Sequence, residues 1–138
     1  MGFYYGHAIL PVDVDVSVDD AVEQAVEQLI KPYAPIGDEH PVDGVRFDFC
    51  NCVEKEWYAQ WGDWKKDFPT ALDSSKLIIV PTKLINDDDV VGAVITPDGR
   101  WFQSQDTWRN EDNEWGARFL DICRPYPEHF SAVLFFRC

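Results

Sequence analysis

Ser131-Ala132-Val133-Leu134-Phe135-Phe136-Arg137 is apolar at both parities of an extended chain. Successive strand side chains point to opposite faces, so Ala132, Leu134 and Phe136 face one way and Val133 and Phe135 the other. A strand with one wet face alternates apolar with polar residues, whereas this one needs cover on both sides. Residues 3–10 repeat the pattern: Phe3, Tyr5 and Ile9 oppose Tyr4, Ala8 and Leu10 before Pro11 ends the run. Two such strands predict a sheet with packing on each face.

Working outward, Ser17-Val18-Asp19-Asp20 sets a hydroxyl three residues before a carboxylate, as at many helix starts. Val18, Ala21, Val22, Ala25, Val26, Leu29 and Ile30 then keep a helical stripe that stops before Pro32. Its wet side displays Asp19, Asp20, Glu23 and Glu27 at spacings that share one face. Residues 32–44 read as loop, and alternation around Val45, Phe47 and Phe49 predicts a second strand. In 53–68, Trp57, Trp61, Trp64 and Phe68 fall on one helical face despite Gly62, which predicts a Trp-rich helix whose indoles pack inward.

Residues 76–82 and 90–96 read as strands of a meander around a solvated tip at Asn86-Asp87-Asp88-Asp89. Pro97-Asp98-Gly99-Arg100 is a turn leading into a short strand at Trp101-Phe102. Residues 111–123 predict a helix with Trp115, Phe119, Ile122 and Cys123 inward, closed by Pro125 and Pro127. The order is that of an α+β fold, with a split β-α-β (ferredoxin-like) core, an inserted Trp-rich helix and an extra β-hairpin. One domain over 1–138 is expected, since 46% apolar content in 138 residues suits a single core. The second sheet face is to be covered by the Trp-rich helix, or by a partner in a homodimer.

Twenty-five acidic against twelve basic residues give a net charge of −13. Residues 1–45 hold nine carboxylates and only Lys31, so this third carries −8 and the remainder −5. Such a field argues against direct binding to nucleic acid or an anionic membrane and toward a basic protein partner. Solubility alone also accounts for acidic surfaces. No apolar run approaches the roughly 18 residues of a membrane span, and Met1-Gly2-Phe3-Tyr4-Tyr5-Gly6-His7 is no basic leader. A cytoplasmic location is therefore expected.

At Val91-Gly92-Ala93-Val94-Ile95-Thr96-Pro97-Asp98-Gly99-Arg100-Trp101 the sequence resembles small uncharacterised bacteriophage proteins, in which a hydrophobic strand runs into T-P-D-G-x-W. The resemblance extends to the acidic helix ending near Pro32-Tyr33-Ala34-Pro35, the aromatic middle (Phe47-Asp48-Phe49, Trp57, Trp61) and the last strand. Where those proteins tend to have Gly-Gly-Arg-Trp, this one has Trp61-Gly62-Asp63-Trp64. The resemblance implies a phage accessory protein acting in a host bacterial cytoplasm, among which inhibitors of restriction or CRISPR systems are frequent. It brings no established activity.

Signatures of phosphate loops, dinucleotide folds, zincins and hydrolase elbows are missing, so a non-enzymatic role is expected. His7 reads as a structural imidazole in a strand and His40 as loop surface. Asp87, Asp88 and Asp89 lack the further oxygens and glycine of an EF-hand and rank as secondary partner-binding candidates. Trp57, Trp61 and Trp64 lack the positive groove of a single-strand binder.

The leading expectation is an inhibitor of anti-CRISPR or anti-restriction type. Asp19, Asp20, Glu23 and Glu27 would occupy a basic nucleic-acid-binding site on a host defence protein. The alternative is a small-molecule or signalling-nucleotide sequestering domain, which gains if Arg100, Arg109, Arg118 and Arg124 converge on one pocket. No cofactor or metal is expected: Cys50 and Cys52 form a single C-x-C, and Cys123 and Cys138 lie far from it. All four thiols should therefore titrate in denaturant without reductant. Thiols released only by reductant, or stoichiometric zinc, would contradict this.

Overall fold

The computed structural model describes residues 2–105 and 113–138. β1 (Phe3–Ile9) pairs antiparallel with β6 (Phe130–Arg137), from Phe3 opposite Arg137 to Ile9 opposite Ser131. The other edge of β6 is shared by two short strands laid end to end. These are β2 (Phe49–Cys52), against 134–137, and β3 (Ile79–Pro81), against 130–132. At their junction Val53 N donates to Val133 O and Val133 N donates to Ile78 O. β1 carries β4 (Ala93–Ile95) on its far side in parallel, and β4 pairs antiparallel with β5 (Trp101–Gln103).

The result is an α+β fold around a six-stranded mixed sheet of order β2-β6-β1-β4-β5, with β3 beside β6. A ferredoxin-like sheet is antiparallel between all neighbours, and the parallel β1–β4 ladder departs from it. The strand lying between β1 and β2 is β6, the last strand, rather than one arm of a hairpin. Ala93, Val94 and Ile95 are each fully buried, so β4 belongs inside the sheet rather than at a rim. Gly6 allows it to approach: a Cβ there would lie 2.7 Å from the Phe136 ring and 3.3 Å from Ala93 O. The expected meander does not form, because β3 pairs with β6, and β4 and β5 make the hairpin.

Both faces are covered. α1 (Asp19–Ile30) lays Val22, Val26, Leu29 and Ile30 over Ala8, Leu10, Leu134 and Phe136. Val45 and Phe47 enter the same cluster from a loop, where a strand was expected. Ser17 does not cap the helix; its hydroxyl donates to Asp15 Oδ1 at 2.6 Å, and Val18 takes the cap position. On the opposite face α4 (Trp115–Cys123) packs Trp115, Phe119 and Cys123 against Ile9 and Val94. Beside it Phe68 packs against Val53, Ile78, Val80 and Val133.

The expected helix over 53–68 is instead two single turns, α2 (Lys55–Tyr58) and α3 (Trp64–Asp67). Gly62 lies between them, the Tyr58 hydroxyl donates to Asp67 Oδ2 at 2.6 Å, and Asp63 caps α3 by accepting from Lys65 N. These local bonds outweigh helix propagation across a glycine. Trp57 and Trp64 are half-buried in the cluster around Phe68, but Trp61 is 67% exposed. The inward stripe is thus corrected at Trp61.

Trp61→Ala, which loses the edge-on contact with the Trp57 ring, is expected to cost no more than about 1.5 kcal/mol. Phe136→Ala, which removes a fully buried ring, should cost about 3–5 kcal/mol. Equal losses in denaturant unfolding would contradict this packing.

Candidate functional site

Having buried one side on the sheet, α1 turns its carboxylates away from the core. Asp20, Glu23 and Glu27 are exposed, while Asp19 is half-buried and accepts from Ser75 Oγ at 3.2 Å. Glu23 and Glu27 line a groove of about 500 Å³, together with Glu54 and Lys31; Asp19 and Asp20 lie outside its lining. The far wall is the outer edge of β2, Cys50–Cys52, and Val26 and Ile30 supply apolar surface between. No ion pair among the described residues engages Glu23, Glu27 or Glu54. Sequence reasoning missed Glu54 and the strand edge, because neither is near α1 along the chain.

Burial disfavours the thiolate form of both groove cysteines. Burial pushes both Cys50 and Cys52 up to about 12, helped by the neighbouring thiol at Cys50 and by Glu23 at Cys52. All four cysteines are unbridged. Among the described residues no group of three or more His, Cys, Asp or Glu side chains is placed to hold a metal ion, and no helix is long and apolar enough to cross a membrane.

Asp87, Asp88 and Asp89 form a tight turn capped by Asn86, whose side chain accepts from Asp88 N while Asp89 Oδ2 accepts from Asn86 N, both at 2.9 Å. Asp87 and Asp88 are exposed, but Asp89 is fully buried. The expected solvated tip is therefore corrected at Asp89, which cannot meet a partner. Its carbonyl oxygen accepts from His7 Nε2 at 3.0 Å, a bond that fixes the neutral tautomer with hydrogen on Nε2. His7 is fully buried beside Phe119 and Phe68, and neither its Nδ1 nor Asp89 Oδ1 has a hydrogen-bond partner among the described residues. It is only half satisfied, and 82 residues of separation kept the pair out of sight in the sequence.

Two of the late arginines converge. Arg100 and Arg118 line a second cavity of about 500 Å³ with Tyr33 and Trp101. Arg100 is held by Asp98 at 3.0 Å and donates to the Tyr126 hydroxyl at 3.4 Å. Arg124 lines a different cavity beside Lys83, and Arg109 lies outside the described residues.

No protein-family model, curated protein or solved structure matches this chain.

Burial lowers the His7 pKa to about 4 despite the bond to Asp89. The unfolded chain then binds the extra proton first, so this stabilisation is complete above about pH 6.5 and is lost as pH falls toward 4. A shift from 6.5 to about 4 corresponds to about 3 kcal/mol at 1.36 kcal/mol per pH unit. Burial raises Asp89, which acts in the opposite sense: its unfavourable contribution is relieved as pH falls toward its ordinary range. His7→Gln keeps a donor toward Asp89 O and removes the titration. Its unfolding free energy should lose less between pH 7 and pH 5 than that of the wild type, and parallel curves would contradict the assignment.

Proposed function

We propose that this chain is a non-enzymatic binding protein, a phage-encoded inhibitor of anti-CRISPR or anti-restriction type acting in the bacterial cytoplasm. Its acidic groove would occupy a basic nucleic-acid-binding surface on a host defence protein. The observation that carries this is the groove itself, where Glu23, Glu27 and Glu54 form no ion pair among the described residues and Lys31 is the one basic residue in the lining. Its wider setting is a chain of net charge −13. Carboxylates on a helix whose other side is anchored in the core form a rigid array, and opposite fields accelerate encounter with a basic face. The inhibitor would act by competition, since a partner holding this face cannot hold a phosphate backbone at the same place. The resemblance to phage accessory proteins supports the origin.

A second reading is favoured by Arg100 and Arg118 on one cavity with Tyr33 and Trp101, which suits an anionic aromatic ligand such as a nucleotide. Asp98 already engages Arg100, and Asp43 also lines that cavity, which weakens its pull on an anion. Quenching of Trp fluorescence by nucleoside monophosphates would favour this reading.

The leading reading is tested by capturing partners from a bacterial lysate, identifying a nucleic-acid-binding protein among them, and measuring its DNA binding with this chain added. The wild type should displace DNA. Glu23→Lys with Glu27→Lys should weaken displacement by about tenfold or more, chiefly through association rate, and flatten its salt dependence. Glu23→Gln with Glu27→Gln should leave stability within about 0.5 kcal/mol. Equal displacement by a folded double-Lys variant would remove α1 from the mechanism.

A further inference from the structure

The wall of the groove opposite α1 is a strand edge to which no other described strand is paired. In the β2–β6 ladder Val53 N donates to Val133 O, and Asn51 and Phe49, opposite Phe135 and Arg137, share its phase. Hydrogen-bonding direction alternates along an antiparallel strand, so Cys50 and Cys52 turn their N–H and C=O groups away from β6. No hydrogen bond among the described residues uses those four groups. Cys50 and Cys52 both line the groove, Cys50 half-buried and Cys52 at 8% exposure. The other rim of the sheet is treated differently: there Gln103 of β5 donates through its side chain to Gly44 O in an overlying loop.

We propose that the groove accepts an extended, lysine- or arginine-rich segment of the partner protein, which adds to the sheet as a strand on β2. This rests on the function proposed above and names the form in which the basic partner is held. The incoming backbone bonds to Cys50 and Cys52, and every second side chain falls between β2 and α1. There Glu23 and Glu27 meet it from the helix and Glu54 from the end of the strand. Val26 and Ile30 receive the aliphatic stems of those side chains. Charge also selects the occupant. A second copy of a chain carrying −13 would bring like charge to the groove, and carboxylates beside a bare edge are a recognised guard against self-pairing. A basic strand turns the same charges from guard into attraction.

The probe is the capped peptide Lys-Val-Lys-Val-Lys-Val, titrated into the full chain. It is compared with two versions N-methylated at alternate residues, one in each phase. The parent peptide should bind, and the version methylated on the amides that face β2 should bind about tenfold or more weaker. Cys50→Pro removes an outward N–H without touching the ladder to β6, and it should cause a similar loss while melting as a folded protein. Glu23→Gln with Glu27→Gln should weaken the parent peptide and flatten its salt dependence. Equal binding by all three peptides overturns strand addition. If that binding still depends on Glu23 and Glu27, the charge reading stands without it; if it does not, both fall. No binding of the parent peptide also overturns the inference, and the DNA-displacement assay then decides the proposed function on its own.

Discussion

β6 is hydrogen-bonded along both edges, with β1 on one side and β2 followed by β3 on the other. Its buried residues Ala132, Val133, Leu134 and Phe136 supply both layers of core at once, joining the α1 cluster on one face and the Phe68 cluster on the other. Everything else takes its place from that strand. α1 sits where the Ala132-Leu134-Phe136 face needs cover, and β2 lies where the upper half of β6 needs a partner. The groove between α1 and β2 is therefore a consequence of how a two-faced central strand is covered. Phe136 couples these demands, since it stacks on Tyr4, contacts Phe47 and Trp101, and leaves room at Gly6 for nothing larger than hydrogen.

Much of this was legible where the information is local. The double-sided apolarity of residues 3–10 and 131–137 required two covering layers, and the structure has them. The stripe of α1 was readable from its 3.6-residue period, as was the turn at Pro97-Asp98-Gly99-Arg100, where Gly99 takes φ +88°. What failed depends on long-range competition or on side chains that rewrite local rules. Periodicity cannot say that β3 pairs with β6 rather than β4, because both pairings bury similar residues. The spacing of Trp57, Trp61 and Trp64 fits a helix, yet Gly62 and the Tyr58–Asp67 bond fold the segment into two turns and expose Trp61. Asp87 and Asp88 behave as a charge run should, whereas the capping bond to Asn86 draws Asp89 into the core.

The candidate site divides in the same way. Glu23 and Glu27 could be named from the helix alone, because an amphipathic helix has one place to put charge. Glu54, Cys50 and Cys52 could not, since they reach the groove only through the pairing of β2 with β6. The unpaired edge and the carboxylates have one physical logic. Backbone groups turned away from β6 and left unbonded retain their hydrogen-bonding capacity, and nearby negative charge biases what can use it. Exposed carboxylates contribute little to the fold, so this bias costs little stability.

Amide hydrogen exchange at Cys50 and Cys52, followed residue by residue with and without saturating Lys-Val-Lys-Val-Lys-Val, tests this most directly. Protection should rise at these two amides, whose N–H groups point into the groove, while Asn51, already bonded to β6, changes little. Unchanged exchange at Cys50 and Cys52, with new protection around Arg100 and Trp101 instead, would contradict the assignment of the groove as the binding site.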